Sequence, residues 1–237
     1  IPSFNRVKSL DKLLNTLLLI KSKEFLVVVS DNCSSDKTKD VCAQFSSKYQ
    51  NFVYFCNSRN IGFDLNIQRC FEIAKDKAEF VMLMGDDDII DEENISRLLA
   101  HLYSHCVDGV LSNKYLVKHG DMKDTFKPFY SGDNEILEVG IAEFSNNFSR
   151  SSFLSSMTIR TDLVSKLVQN ELEGSFYAHC EYFWKAIVNH KLLIANDVYI
   201  RALIFGQNKA SYNRSSPIYI EGWVNTTWSL RYHYSKS

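Results

Sequence analysis

Residues 80–88 read FVMLMGDDD, a run of five apolar residues followed by a glycine and three carboxylates. The apolar run has the length and composition of a buried strand. Adjacent carboxylates repel one another and resist shared ionisation, so the cluster makes most sense where a divalent cation and phosphate oxygens neutralise it. The alternative is a solvated acidic turn that caps a helix beginning near 91–94, because Asp is favourable at a helix N-terminus.

Helix and strand patterns alternate around this stretch. Apolar residues at helical spacing predict helices near 10–18, 37–48, 67–74 and 95–102. Short apolar runs predict strands at 25–29, 52–55 and 109–112. This order predicts an α/β fold with a mostly parallel central sheet flanked by helices, in which ligands bind beyond the carboxyl ends of the strands.

The second half of the chain is less regular. A polar, loop-like stretch runs from 114 to 134, and helices are predicted on the apolar residues of 163–168 and 183–187. Late strands are predicted at 192–195 and 199–205.

Composition excludes several classes of protein. The 237 residues carry 27 Lys and Arg against 28 Asp and Glu, which gives neither the basic field of a nucleic-acid binder nor an acidic tail. The six cysteines contain no CxxC pair and favour reduced thiols over a disulfide framework or a zinc site. No apolar stretch approaches the ~20 residues of a membrane span. The chain opens at Ile1 without Met, so we expect a preceding segment.

Three polar loops are expected to converge at one sheet edge. Asp31 follows the predicted strand 25–29, as the acidic cluster follows its own strand, and it can bind a base or ribose or merely turn the chain. Residues 1–6 look like the end of a first strand, which supplies the third loop. Gly62, before the third helix, would let the backbone approach a ligand or simply form a turn.

Four segments, in this order and spacing, resemble the signature set of family-2 glycosyltransferases with the GT-A fold: IPSFNR at 1–6, DNCSSDKT at 31–38, NIG at 60–62 and GDDD at 85–88. The long second segment is similar to that of bacterial O-antigen and capsule sugar transferases, including abequosyltransferase-like proteins. The resemblance implies a nucleotide-sugar-binding half at 1–112 and an acceptor-binding, catalytic half of the same domain at 113–205. A C-terminal loop and tail would follow at 206–237.

Site roles follow from the same resemblance. Donor binding is implied for Pro2, Ser3, Asn5, Asp31, Asn60, Asp86 and Asp87. Asp86 and Asp88 form the family's DxD element and imply a bound Mn²⁺ or Mg²⁺ that bridges the donor diphosphate.

The implied catalytic base is Glu181. Glu181 matches the Glu of the family's Glu-Asp pair, but Tyr182 replaces the Asp that often serves as base, and His179 stands second in line. The alternative is a helix-opening Glu satisfied by the helix dipole.

Residues 153–157 are expected either on the acceptor side or at the start of a buried strand. A loop at 206–209 would close over the diphosphate or remain solvated, and Trp223, Trp228, Tyr232 and Tyr234 would pack the tail or contact a sugar, a membrane or a second subunit.

The resemblance therefore implies a metal-dependent, inverting glycosyltransferase that moves a sugar from a nucleoside-diphosphate donor to a growing bacterial surface glycan such as O-antigen or capsule. A glycan or lipid-linked glycan acceptor would place it in the cytoplasm, peripherally at the inner face of the membrane, with no nucleic-acid partner and with a homodimer left open. One alternative is a nucleotide-sugar-binding module without transferase activity. The other is a sugar-phosphate nucleotidyltransferase, which would need a Gly-rich triphosphate loop that 1–6 lacks.

Overall fold

The computed structural model describes residues 1–22, 24–118, 128–167, 176–204, 226–227 and 230. Helices and strands alternate through the first half: β1 (Pro2–Ser3), α1 (Val7–Leu18), β2 (Val27–Asp31), α2 (Thr38–Lys48), β3 (Phe52–Cys56), α3 (Phe63–Ala74), β4 (Phe80–Met82), α4 (Glu92–Ser104) and β5 (Gly109–Lys118). The second half contains β6 (Glu135–Glu138), α5 (Ile141–Ser151), a 3₁₀ helix (Leu154–Ser156), β7 (Met157–Arg160), α6 (Thr161–Val164), α7 (Ala178–Ile187) and β8 (Lys191–Ile204).

The strands form two sheets. In the first, β1, β2 and β3 pair in parallel, and the ends of β1 and β2 lie in register, with Ser3 opposite Asp31. The second has the strand order β4-β7-β5-β8-β6, in which β5 and β8 are parallel and the other pairings are antiparallel. The predicted α/β class is confirmed, and parallel pairing brings two of the predicted polar loops to the same edge.

The second half departs from the sequence prediction in its details. The two predicted late strands are one strand, β8, whose register against β5 shifts at Ser112/Asn113. Strand β5 extends to Lys118, into the stretch predicted as loop. Helix α5 was not predicted, because only Phe144 and Phe148 give its buried face large apolar side chains.

Helix α7 forms the centre of the larger hydrophobic core. Nine of its ten residues are buried, which no amphipathic surface helix could achieve. Trp184 is fully buried, packs edge-on against Phe144 and Phe183, and donates a hydrogen bond from Nε1 to Ser151 Oγ at 2.8 Å. The leucines of α1 form a second core with β2 and β3.

An apolar cavity of about 940 Å³ lies among β2, β4, α3 and α4. None of the site residues predicted from the sequence lines it. Within the described residues, no helix has both the length and the apolar character needed to cross a membrane.

Trp184→Ala tests the central role of α7. The truncation removes the indole from a packed core and leaves the Ser151 hydroxyl short of a partner, so the free energy of unfolding should fall by about 3–5 kcal/mol in urea denaturation. Tyr103→Ala, at an aromatic that is 68% exposed on α4, is the control and should change it by less than about 0.5 kcal/mol. Equal effects of the two substitutions would contradict this assignment of the core.

Candidate functional site

The loop after β1 contacts the acidic cluster that follows β4. Ser3 Oγ donates a hydrogen bond to Asp86 Oδ2 at 2.8 Å. The Arg6 guanidinium lies 3.2 Å from Asp86 Oδ1 through Nε and pairs with Asp87 through Nη2. Two stretches more than 80 residues apart in sequence are thereby joined at one edge of the fold.

Asp88 is held by a residue from the second half of the chain. Ser155 Oγ donates to Asp88 Oδ2 at 2.5 Å and accepts from the backbone N–H of Gly85 at 2.8 Å. Ser155 lies in the 3₁₀ helix before β7, so residues 153–157 lead into a buried strand, and their position on the acceptor side stays a prediction. A Cβ on Gly85 would lie 2.7 Å from Asp88 Oδ2, which explains why a glycine precedes the three carboxylates.

The acidic cluster does not cap the next helix. Helix α4 is capped by Asp91, whose side chain accepts from the backbone N–H of Asn94 at 3.0 Å. Asp86 and Asp88 are instead only 5% and 7% exposed. The alternative interpretation as a solvated capping turn therefore fails for these two residues.

Burial gives the two carboxylates unusual proton affinities. It raises the pKa of Asp86 to about 6 against the opposing charge of Arg6, with Asp87 adding to the rise. It raises the pKa of Asp88 to about 7 against the hydrogen bond from Ser155, with Asp87 and Asp86 adding to the rise. The site thus holds more negative charge than its own cation and hydroxyls offset, and a divalent cation would supply the missing compensation.

The arrangement of oxygens suits a metal that is completed by a phosphate ligand. In the part of the chain that the structure describes, no group of three or more His, Cys, Asp or Glu side chains could hold a metal alone. Mg²⁺ commonly takes one or two carboxylates together with substrate phosphates. Both oxygens of Asp86 are engaged by Ser3 and Arg6, whereas Ser155 engages only Oδ2 of Asp88. Within this buried pair, Asp88 Oδ1 is therefore the oxygen that could hold a metal.

Asp31 is almost fully buried at the end of β2. Its Oδ1 accepts from the backbone N–H of Ser34 at 2.9 Å, and its Oδ2 accepts from the Tyr54 hydroxyl at 2.7 Å. Burial and the neighbouring Asp31 raise the pKa of Tyr54, which keeps the phenol protonated and donating. Nothing in the sequence pattern marked Tyr54, because its strand register became known only with the fold.

Asn5 joins the first two loops. Its backbone has φ = 52°, its N–H donates to Ser34 Oγ at 2.8 Å, and its Oδ1 accepts from the N–H of Ser35 at 2.8 Å. Asp36 completes the junction by accepting from the N–H of Val7 at 3.0 Å. The structure thus places Asn5 at a junction of loops beside Ser3, while Pro2 pairs with Ser30 in β1.

A buried network of amides positions the loop that contains Asn60. Asn32 Nδ2 donates to Asn60 Oδ1 at 2.8 Å, and Asn32 Oδ1 accepts from the N–H of Ile61 at 2.9 Å. Asn57 Nδ2 bridges Asn32 Oδ1 and Asn66 Oδ1 at 3.2 and 3.0 Å. Because each amide is satisfied by the next, the loop that contains Asn60 is fixed against the end of β2.

Glu181 lies on a different element, in the first turn of α7. It is 5% exposed and forms an ion pair with Lys185, one turn along the helix. Asp64, at the start of α3, accepts from the backbone N–H groups of Phe176 and Ala178 at 2.9 and 3.3 Å. Through Asp64 the N-terminal end of α7 is tied to the helix that follows the Asn60 loop.

The two neighbours of Glu181 named in the sequence are also buried. His179 packs against Phe63 and Tyr177, and burial lowers its pKa to about 4, so the ring is neutral at physiological pH. Tyr182, which replaces the expected Asp, donates from its hydroxyl to Gln68 Oε1 at 3.2 Å. The expected loop at 206–209 and Trp223, Trp228, Tyr232 and Tyr234 lie outside the described residues.

Comparison with known sequences identifies a family. The sequence model described as Glycosyl transferase family 2 matches residues 1–155. The chain is 24% identical over 229 residues to the GalNAc(5)-diNAcBac-PP-undecaprenol beta-1,3-glucosyltransferase of Campylobacter jejuni, covering 92% of this chain and 68% of that protein. It is 30% identical over 115 residues to the poly(ribitol-phosphate) beta-N-acetylglucosaminyltransferase TarS of Staphylococcus aureus, covering 47% of this chain and only 19% of that protein.

Solved structures share the fold. Residues 1–349 of S. aureus TarS in complex with UDP superpose with a TM-score of 0.73 at 21% identity, over 98% of this chain and 63% of that one. A mannosyltransferase from Pyrobaculum calidifontis in complex with GDP-Man and Mn²⁺ superposes with a TM-score of 0.66 at 13% identity, over 97% of this chain and 62% of that one. The predicted GT-A fold is therefore confirmed.

Asp88→Asn tests the charge imbalance. The native protein binds a proton at Asp88 more tightly than the unfolded chain does, whose Asp pKa is ~3.9. Stability of the wild type should therefore fall as the pH rises through the interval from about 4 to about 7, and the amide should abolish this term. In urea denaturation the variant should exceed the wild type by about 2–4 kcal/mol at about pH 8 and match it near pH 4.

Asp76→Asn, at an exposed carboxylate, is the matched control for this titration and should follow the wild type at every pH. A stability difference between Asp88→Asn and the wild type that does not change with pH would show that Asp88 carries no such excess charge.

Proposed function

The chain belongs to glycosyl transferase family 2, and from that membership we propose that it moves a sugar from a nucleoside-diphosphate donor to a growing bacterial surface glycan. The single observation that carries the proposal is the buried Asp86 and Asp88 pair, tied to the loop after β1 by Ser3 and to the second half by Ser155. Burying such a pair lowers the stability of the apoprotein, and a metal and a diphosphate in the site would offset that loss.

The donor would lie across the edge formed by the three loops. Asp31, with Pro2 and Asn5 beside it, would border the base, and Asn60 would line the nucleotide on the other side. Ser3, Asp86 and Asp87 would face the ribose and the diphosphate. Asp88 would be the principal metal ligand, with Asp86 as the second; when bound, Mn²⁺ or Mg²⁺ neutralises charge on the departing nucleoside diphosphate.

Glu181 would serve as the general base. Its carboxylate would take the proton of the acceptor hydroxyl while that oxygen forms a bond to the anomeric carbon and the bond to the diphosphate oxygen breaks, which inverts the configuration. Lys185, one turn along α7, forms an ion pair with this carboxylate and holds its position.

The relatives support a surface-glycan acceptor that carries phosphate. The name of the C. jejuni relative includes a diphosphate-linked undecaprenol glycan, and the name of TarS includes poly(ribitol-phosphate). The TarS complexes with UDP and with UDP-GlcNAc support UDP as the first nucleotide to test. A lipid-linked acceptor would bring this chain to the inner face of the membrane.

A nucleotide-sugar-binding module without turnover is the second candidate. Two observations favour it: Tyr182 stands where the family often has an acidic base, and Glu181 is buried in an ion pair. Donor binding alone does not separate the candidates, whereas donor turnover does.

Nucleotide binding tests the proposed donor site. Thermal unfolding of the wild type should shift upward with one of UDP, CDP, GDP or dTDP, with UDP expected, and only when Mn²⁺ is present. Asp88→Ala should lose that shift, measured from its own ligand-free midpoint, while Asp76→Asn should keep it. A nucleotide shift that persists in Asp88→Ala would remove Asp88 from the metal site.

Glu181→Gln tests the base. Release of UDP from UDP-glucose or UDP-GlcNAc with water as acceptor should slow by about 10²-fold or more, because proton removal by a positioned base contributes that much, while UDP affinity stays near that of the wild type. Glu72→Gln, which also breaks an ion pair on a helix, is the control and should turn over normally. Normal turnover in Glu181→Gln would exclude it as the base.

A further inference from the structure

Five side chains from different parts of the second half form what we term the cation–aromatic cluster: Lys114, Phe129, Tyr130, Arg150 and Phe153. The Lys114 ammonium lies 4.5, 5.0 and 6.0 Å from the ring centroids of Phe129, Phe153 and Tyr130. The Arg150 guanidinium carbon lies 3.9 Å from the centroid of Tyr130. Two cations are thus arranged over three aromatic rings within one patch.

Hydrogen bonds hold the cluster in place. Asn113, which is fully buried, donates from Nδ2 to the carbonyl of Tyr130 at 2.9 Å and accepts from its N–H at 3.1 Å. The N–H of Phe129 donates to the carbonyl of Lys114 at 2.9 Å, and Arg150 Nη1 donates to Asn196 Oδ1 at 3.0 Å. The backbone that carries the rings and the guanidinium of Arg150 are therefore positioned before any ligand arrives, which lowers the entropic cost of binding.

One side of the cluster, at Phe129, is exposed to solvent. Phe129 is 51% exposed, although Asn113, which anchors the adjacent Tyr130, is fully buried. The other four members of the cluster are half-buried. An exposed aromatic ring beside positive charge is a surface that recognises a ligand with an apolar face and a negative group.

The cluster adjoins the Asp88 site through one turn of chain. Ser156 Oγ donates to the carbonyls of Arg150 and Phe153 at 3.0 and 2.6 Å, which closes the turn on itself. Ser155, in the same turn, donates to Asp88. The Cα atoms of Phe153 and Ser155 are two residues apart and hence at most about 7 Å from each other. The cluster and the Asp88 site are therefore joined by one short turn of chain.

We propose that the cation–aromatic cluster is the acceptor subsite and that it takes a sugar bearing a phosphate group, an inference that rests on the function proposed above. The exposed ring of Phe129 stacks against the apolar face of the sugar, and Lys114 and Arg150 bind the phosphate oxygens. Arginine suits this role because its planar fork matches two phosphate oxygens at once.

The test uses two matched probes, N-acetylglucosamine 1-phosphate and N-acetylglucosamine. They are titrated against the full chain by saturation-transfer NMR, with UDP and diamagnetic Mg²⁺ present to fill the donor site. The wild type should bind the phosphorylated sugar more tightly. Arg150→Gln should reduce that preference by about tenfold, since it removes a charged hydrogen bond, and Phe129→Ala should weaken both probes. Inorganic phosphate at the same concentration should displace the phosphorylated probe poorly, because it lacks the sugar.

The controls are Arg69→Gln, which removes another cation lying over an aromatic ring, here 5.5 Å from the Phe55 centroid, and Tyr103→Ala, which removes an exposed aromatic elsewhere. Both should bind the probes as the wild type does. Wild-type binding of both probes by Arg150→Gln and Phe129→Ala would overturn the subsite, as would full displacement by inorganic phosphate.

The titration is repeated without UDP and Mg²⁺, so that its result does not depend on the donor site. Failure of any nucleotide to stabilise the protein would count against the proposed function, whereas the response of the two probes to Arg150→Gln and Phe129→Ala decides the subsite in either case.

Discussion

The burial of two carboxylates at one sheet edge, Asp86 and Asp88, is the constraint on which the rest of the site depends. Placing them out of water raises both pKa values and costs the apoprotein stability, and the surrounding contacts offset only part of that cost. Arg6 and Ser3 partly compensate Asp86, and Ser155 holds Asp88 by one oxygen. The proposed metal, arriving with the donor diphosphate, would supply the positive charge that this site lacks.

The remaining contacts serve to keep the surroundings of this pair rigid. The side-chain amides of Asn32, Asn57 and Asn66 hydrogen-bond one another behind the loop that contains Asn60. The Tyr54 hydroxyl holds the carboxylate of Asp31. Asn113 holds the backbone of Tyr130 in the cation–aromatic cluster. In each case a hydrogen-bonded polar side chain fixes a neighbouring side chain or stretch of backbone, and such contacts preorganise a binding site.

The first half of the fold could be predicted from the sequence because its signals are local. The patterns that predict α1, β2 and β3, which are leucines at helical spacing and short apolar runs, depend only on near neighbours. The acidic cluster could be recognised because it directly follows a predicted strand. The second half lacked such signals. Helix α5 buries only two large apolar side chains, Phe144 and Phe148. An irregularity inside β8 made one long strand look like two in the sequence.

The site's partners were harder to predict for the same reason. Ser155 and Asp88 are 67 residues apart, and Tyr54 and Asp31 are 23 apart, so no periodicity connects them. Their contacts exist only because β7 pairs with β4 and β3 pairs with β2, and pairing of strands is a property of the whole chain. Glu181 could be named from resemblance alone, and its ion pair with Lys185 became visible only in the folded helix.

A crystal structure of the chain grown with UDP and Mn²⁺, with diffraction data collected near the manganese absorption edge, would locate the metal directly. The proposed site requires an anomalous peak within bonding distance, ~2.0–2.3 Å, of Asp88 Oδ1 and in contact with diphosphate oxygens. Bound UDP with no such peak, or with manganese away from Asp88, would contradict the assignment of this buried carboxylate pair as the centre of the site.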